Sequence, residues 1–331
     1  MALLRKLNTK AKTEINTGFG VNNADYGGRF VNKNGQANVK KRGVGLLERI
    51  SWYHTMLQMP RWKFLTLILL FYISVNLLFA GIYYIAGAEK LNGMVAANNW
   101  EKFWQSFFFS AQTLTTVGYG HVSPSGFLMS SIAAIEALVG LLSLAIITSL
   151  LYGRFSKPTA YIKFSENAII APYKDITALM LRIAPFKNTT LTDAEAKLTT
   201  AIAIEENGAT ANKFFTLPLE MDKINSLPLS WTIVHPINEE SPFYNFTKED
   251  FENMRGEIFI YIKAFDDMFS NTVVTRSSYL FKEVVYGAKF MPMYHRNSEA
   301  NATVLDIEKL NSFTEADISA INTSFSKAVS S

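Results

Sequence analysis

The sequence predicts a membrane protein with two transmembrane helices and a re-entrant helix between them, followed by an all-β sandwich domain. Three observations predict it. Residues 64–86 and 126–152 form two apolar stretches, each long enough to cross a bilayer. Between them lies an aromatic-rich segment, too short to span, that ends in Thr-Val-Gly-Tyr-Gly. From residue 159 onward, short β-prone runs follow one another with turn signals between them.

Composition removes several classes of chemistry. The chain has no cysteine, so disulfides, thiolate metal sites and cysteine nucleophiles are excluded. Its four histidines are scattered, with no pair one helical turn apart, so no zinc motif is visible. No nucleophile–base pair and no glycine-rich phosphate loop stands out, which argues against an enzyme and against an organic cofactor. The net charge is +4, yet up to Lys63 there are 12 Lys/Arg against 3 Asp/Glu. A basic arm ahead of an apolar span suits a membrane surface. Nucleic acid is not expected as a partner, because no basic stripe falls on a folded motif.

Taken in order, residues 1–44 are polar and rich in Asn, Gly and Lys, and read as a flexible N-terminal cytoplasmic arm. The run Met1 to Leu4 is too short for the apolar part of a signal peptide. Residues 45–60 carry Leu46, Leu47, Ile50, Trp52, Tyr53, Met56 and Leu57 at near-helical spacing, which predicts an amphipathic slide helix in the membrane interface, ended by Pro60. Residues 61–158 form the pore domain. Its first span, 64–86, would be roughly 35 Å long as a helix. The second, 126–152, has Glu136 as its only Asp, Glu, Lys, Arg or His. Arg61 and Lys63 flank the first span, and Arg154 and Lys157 flank the second. The positive-inside rule therefore places both termini in the cytoplasm, in a cell membrane, with a bacterial inner membrane fitting the absence of cysteine. Residues 103–114 read as the re-entrant pore helix.

Residues 159–295 form the sandwich. Its β-prone runs are 161–170, 178–186, 199–205, 213–220, 230–237, 257–265 and 272–279, with Asn207-Gly208 as a hairpin signal. Thr247 and Asp250 predict a capped short helix. His235 sits in an apolar strand and reads as a satisfied core histidine. Residues 296–331 are left as a C-terminal tail.

The segment 116–120 carries the chemistry. A bare ion enters hydrocarbon only if something replaces its water, and stacked rings of backbone carbonyl oxygens do this in potassium filters. The backbone must then turn successive carbonyls toward one axis. Gly118 and Gly120 supply the unusual φ/ψ at alternate positions. Val117 and Tyr119 face away from the axis, and Thr116 can add the innermost oxygens. K+ would bind at Thr116, Val117, Gly118 and Tyr119. One chain gives a quarter of each ring, so a homotetramer is required. The negative end of the pore helix would favour a cation at the pore centre. His121, directly after the filter, would line the outer mouth, where its titration could modulate conductance near neutral pH.

This filter, the two-span layout and the run Trp231-Thr232-Ile233-Val234-His235-Pro236-Ile237, with Ser241-Pro242-Phe243-Tyr244 and Arg276-Ser277-Ser278-Tyr279 after it, resemble the inward-rectifier potassium channel family, most of all its prokaryotic branch. The resemblance covers roughly residues 45–295. It implies passive potassium conduction and an immunoglobulin-like cytoplasmic domain that extends the pore.

Further roles follow only from that resemblance. Gly140 matches the inner-helix glycine, as a hinge or as a site of close helix packing. Leu144 stands where strongly rectifying members carry an acid, so strong polyamine block is not implied. Tyr152 matches the bundle-crossing gate, with Thr148 and Leu144 on the same path. Arg61, Lys63, Arg154 and Lys157 match an anionic-lipid site. The glutamate–arginine pair that braces the filter in eukaryotic members is Gln112 and Val122 here, so the brace must differ. Glu136 would face the cavity or hydrogen-bond behind the filter. Two gating modes stay open, by anionic lipid or by a soluble ligand of the sandwich domain.

Overall fold

The computed structural model describes residues 8, 10–14, 18, 28–43, 45, 51–206, 209–297 and 301–318. The chain divides into two compact units, Lys41–Lys157 and a second that joins Met1–Lys40 to Pro158–Ser331.

The first unit is helical. Helix α1, Trp52–Gln58, has no buried residue. The rest of the expected slide helix, residues 46–50, lies outside the described residues. Pro60, at φ −53°, separates α1 from α2, Arg61–Gly87. Its fixed φ suits a helix start, and its missing N–H would break a helix running through it. A two-residue strand β1, Leu91–Asn92, leads to α3, Asn99–Leu114. There Asn98 caps the first turn by accepting the Glu101 N–H at 2.9 Å, and Glu101 accepts the Ala97 N–H at 2.8 Å. Strand β2, Ser123–Pro124, pairs with β1 and precedes α4, Gly126–Phe155. Helices α2 and α4 are long and apolar enough to cross a membrane. Both keep many large apolar side chains exposed within the single chain, the pattern of helices that meet lipid or other copies.

The second unit is a two-sheet sandwich. Its strands are β3 Ile162–Phe164, β4 Ala168–Tyr173, β5 Ile176–Pro185, β6 Leu191–Glu206, β7 Ala209–Leu217, β8 Lys223–Ser226 and β9 Trp231–Pro236. After helix α5, Lys248–Asn253, come β10 Gly256–Asp266, β11 Asn271–Leu280, β12 Val284–Tyr286, β13 Ala288–Phe290, β14 Tyr294–Asn297, β15 Ala302–Leu305 and β16 Phe313–Glu315. One sheet runs β11-β10-β6-β7 with β8 also on β6, and the other β12-β4-β5-β3 with β9 also on β5. Leu179, Leu181, Ile183 and Ile233 of one sheet meet Leu198, Ile202, Ile258 and Ile260 of the other in one core.

The expected run 161–170 divides at Ser165, whose hydroxyl donates to the Asn167 carbonyl at 2.9 Å and whose oxygen accepts the Arg182 N–H at 3.1 Å. β6 begins eight residues earlier than its expected run because a register shift opposite Lys263 and Phe265, with Asp193 at φ +47°, interrupts the alternation that the sequence displays. Asn207-Gly208 lies outside the described residues, although β6 and β7 pair up to Glu206 and Ala209. Helix α5 starts after Thr247, whose N–H donates to Asp250 at 2.8 Å.

Two expected boundaries are corrected. The reading of 1–44 as a free arm fails at residues 8, 10–14 and 29–38, whereas residues 18 and 39–43 are exposed. Lys12 to Glu14 pair along the outer edge of β7: the Thr216 N–H donates to the Lys12 carbonyl at 3.0 Å and the Glu14 N–H to that of Phe214 at 2.8 Å. Phe30 and Val31 are buried, the Phe30 ring lying 5.7 Å from Phe214 and 5.9 Å from Phe259. The N–H groups of Phe30 and Val31 donate to the Glu257 carboxylate at 2.6 and 3.1 Å. A polar composition concealed a docked segment because its few apolar residues find partners more than 180 positions away. The expected tail from 296 is likewise part of the domain as far as 318. β14 pairs with β15 and β16 with β13, while Leu310 and Ile318 are buried.

His235 on β9 is buried as expected of a core histidine. Its Nδ1 lies 2.7 Å from the Pro218 carbonyl, which can only accept, so Nε2 accepts the Ser241 hydroxyl at 2.8 Å. Burial pushes its pKa down from 6.5 to about 4, against the pull of the Pro218 bond. Below the ordinary value the unfolded chain takes up a proton that the folded domain refuses. Stability is therefore full above neutral pH and is lost as pH falls toward 4, by up to about 3 kcal/mol. Thermal unfolding followed from pH 7.5 to 4.5 should show this slope, and His235→Gln should flatten it.

Candidate ion pathway

The filter begins as the end of a helix. Thr115 closes α3, and Thr116 follows in the left-handed region at φ +61°. The Thr116 N–H donates to the Thr113 carbonyl at 3.1 Å and the Val117 N–H to that of Gln112 at 2.9 Å, the two bonds of a Schellman cap. The Gly118 N–H also reaches the Gln112 carbonyl, at 3.3 Å. Left-handed backbone recurs at Gly118, φ +56°, and Gly120, φ +78°. The backbone thus alternates its hand at every second residue, as turning successive carbonyls one way requires. Glycine takes that conformation freely. Thr116 does so at a cost of roughly 1 kcal/mol, and in exchange keeps a hydroxyl at the inner end of the filter.

Behind the filter, Phe79 and Tyr83 of α2, Phe109 of α3 and Met129 of α4 form a buried cluster with Leu91, and Val122 packs against it. The position of the missing brace arginine therefore contributes apolar contact. His121 is exposed, and a side chain at Gly93 would collide with its backbone carbonyl, so the chain just after β1 lies directly against His121.

A Cβ added at Gly140 would lie 2.9 Å from the Leu114 carbonyl carbon and 3.1 Å from its Cα, and closer still to its oxygen. Helix α4 runs unbroken through this position. Of the two readings of Gly140, the structure supplies a direct reason for close packing. One turn away, Glu136 is fully buried together with Asn76, Tyr83 and Ser110. The Tyr83 hydroxyl donates to Glu136 Oε2 at 2.6 Å, and Ser110 Oγ touches Glu136 Oε1 and lies 3.0 Å from Asn76 Oδ1. Glu136 is therefore enclosed within its own chain, between α2 and α3. The sequence marks Glu136 and, as the most polar member of the first span, Asn76. Nothing local ties Ser110, Asn76 and Tyr83 to Glu136, because they are ordinary residues on other helices.

Leu144, Thr148 and Tyr152 follow Gly140 at four-residue spacing and are exposed in the single chain, Tyr152 by 73%. Arg61, Lys63 and Lys157 are exposed as well. Arg154 is not free in that way. Its guanidinium donates to the carbonyls of Met56 and, at 2.6 Å, Met59, and stacks 4.5 Å from the Phe64 ring centre. It caps the C-terminal end of α1, so two of its five N–H donors are engaged by protein. Arg154→Ala removes charged hydrogen bonds worth about 1.5–3 kcal/mol each. Amide exchange in residues 52–59 should accelerate ten-fold or more, and lysine should not restore protection because it lacks the planar fork.

Residues 162–330 match the family model for the inward rectifier potassium channel C-terminal domain, and residues 61–157 match that for ion channels. The chain is 32% identical over 271 residues to the inward rectifier potassium channel Kirbac3.1 of Paramagnetospirillum magnetotacticum, covering 80% of this chain and 89% of that one. It is 27% identical over 293 residues to G protein-activated inward rectifier potassium channel 2 of Pongo abelii, covering 80% and 67%. It is 26% identical to G protein-activated inward rectifier potassium channel 4 of Mus musculus, covering 80% and 68%.

Proposed function

The chain belongs to the inward rectifier potassium channel family, and from that premise we propose that four copies enclose one potassium pathway with its gate at the cytoplasmic end of α4. It is a membrane potassium channel and not an enzyme. The observation that carries the mechanism is the alternating left-handed backbone of Thr116, Gly118 and Gly120 at the end of a re-entrant helix between two apolar helices. Potassium is the cargo, passed between oxygens of Thr116, Val117, Gly118 and Tyr119.

The tetramer rests on exposure. Val117 is 52% and Tyr119 77% exposed in one chain, on irregular backbone that hydrocarbon does not tolerate unless protein surrounds it or water fills it. Three further copies would supply that cover. Tyr152, Thr148 and Leu144 would then face a shared axis, with four Tyr152 rings closing it. Leu144 offers no charge to hold a polyamine, so strong rectification is not expected. Arg61, Lys63 and Lys157, with the Arg154 donors that α1 leaves over, would hold anionic headgroups, each basic residue worth about 1 kcal/mol near such a surface. Both termini lie in the cytoplasm of the cell.

Uptake of rubidium or potassium into proteoliposomes, with sodium as competitor and barium as blocker, tests the reading. Flux that favours potassium and stops with barium supports it. An intact tetramer that stays shut in every lipid mixture would turn attention to a soluble ligand of the sandwich domain. Tyr152→Ala should raise flux several-fold without altering the potassium-to-sodium ratio. Unchanged flux would move the gate to Leu144 or to the filter.

A further inference from the structure

We propose that Glu136 carries a proton, and that this neutral acid, set between Ser110 of the pore helix and Tyr83 and Asn76 of the outer helix, is the brace that positions the filter. The inference rests on the pore reading above and adds a chemical state to one of its residues.

The argument is a count of hydrogens. Three contacts join the four side chains: Tyr83 Oη to Glu136 Oε2, Ser110 Oγ to Glu136 Oε1, and Ser110 Oγ to Asn76 Oδ1. The Asn76 amide is oriented by a bond elsewhere. Its Nδ2 lies 2.7 Å from the Tyr72 carbonyl, which can only accept, so its oxygen is the atom that faces Ser110. The contacts therefore involve three acceptor oxygens and two hydroxyl groups. Each hydroxyl has one hydrogen, and three bonds need three. Placing the third on Glu136 Oε1 satisfies all of them: Glu136 donates to Ser110, Ser110 donates to Asn76, and Tyr83 donates to Glu136. An ionised Glu136 would leave Ser110 with one hydrogen for two acceptors.

The surroundings agree with this count. All four side chains are fully buried within the single chain, and no lysine, arginine or histidine pairs with Glu136 among the described residues. A carboxylate without a cation at that depth is the costliest of the available states. The apolar cluster of Phe79, Tyr83, Phe109 and Met129, with Val122 against it, leaves no place for the charged pair whose positions hold Gln112 and Val122 here. Ser110 stands two residues before Gln112, whose carbonyl holds the Val117 and Gly118 N–H groups. Glu136 thus acts on the filter through the pore helix, as a positioning residue.

Infrared spectra of the reconstituted full-length channel at neutral pH, wild type minus Glu136→Gln, read the proton directly. The expected result is a protonated-carboxyl C=O band in the wild type that the variant lacks. A lost carboxylate band in its place would overturn the proposal. Glutamine donates through its amide to Ser110 and accepts from Tyr83, so E136Q should keep potassium flux and the potassium-to-sodium ratio within about two-fold, whereas Glu136→Ala should lower that ratio ten-fold or more. If the alanine variant fails to assemble, Ser110→Ala, which cuts the chain of donors at its centre, should lower the ratio in its stead. A glutamine variant without selectivity, or Ser110→Ala with full selectivity, would sink the brace. A wild type that shows the band but conducts no potassium would instead count against the pore reading and leave the proton assigned.

Discussion

Gly140→Ala should abolish most potassium flux even though it improves a helix. In a helix interior the change alone is worth about 1 kcal/mol in favour of alanine. Here the new methyl group would lie 2.9 Å from the Leu114 carbonyl carbon, and that obstacle is backbone, which cannot swing aside. Helices α3 and α4 would have to separate at the turn from which the filter departs. Overpacking of this kind costs typically 1–3 kcal/mol, enough to cancel the gain in propensity. Its functional effect is larger, because carbonyl rings depend on placement to within a fraction of an ångström. We expect at least a ten-fold loss of barium-sensitive rubidium uptake, with the protein still folded. Gly81→Ala on α2, where an added Cβ meets nothing within 4 Å, is the control and should conduct normally. Full flux through Gly140→Ala would remove the packing role and favour a bending role.

Glu257→Ala should release the N-terminal segment from the sandwich. Its carboxylate accepts two backbone N–H groups, from Phe30 and Val31, and lies 3.9 Å from Arg29, which also pairs with Glu283. Removing it leaves buried donors unanswered, at a cost of about 3 kcal/mol. That corresponds to roughly 100-fold faster opening of residues 28–38. Trypsin cleavage after Lys33 and amide exchange of Phe30 and Val31 would report it. Burial pushes the Glu257 carboxyl up, against the pull of Ser278, the two N–H groups and Arg29, so the comparison belongs on the alkaline side, which favours the carboxylate. Glu257→Gln keeps an acceptor and should fall between the two. Equal protection in all three proteins would mean that the Phe30 ring holds the segment without help.

The parts of this channel legible in the sequence are those whose signal is local. Spans announce themselves by unbroken apolar length, and the filter by a five-residue pattern that little else explains. The strands show as alternation, except where a bulge at Asp193 broke it. What escaped is long-range. Arg29, Phe30 and Val31 look like stray residues in a polar arm until Glu257, Phe214 and Phe259 are brought to them. β14, β15 and β16 are three or four residues long, too short for periodicity. Arg154 looks like any basic residue at a membrane face, and only geometry reveals that two carbonyls occupy it. Glu136 was visible as an oddity, yet its meaning lies in three plain residues from two other helices.

The Schellman end of the pore helix has an electrical consequence. The peptide bonds of the described residues are trans, so each N–H and the carbonyl of the preceding residue point in opposite directions. The N–H groups of Thr116, Val117 and Gly118 point back into the helix, to Thr113 and Gln112. The carbonyl oxygens of Thr115, Thr116 and Val117 must therefore point away from it. These peptide units prolong the row of aligned dipoles beyond the last helical turn, so the negative pole of the helix is delivered onto the oxygens that an ion would meet. Each chain thereby aims these oxygens by itself, and the proposed assembly would have only to bring four already polarised quarters face to face.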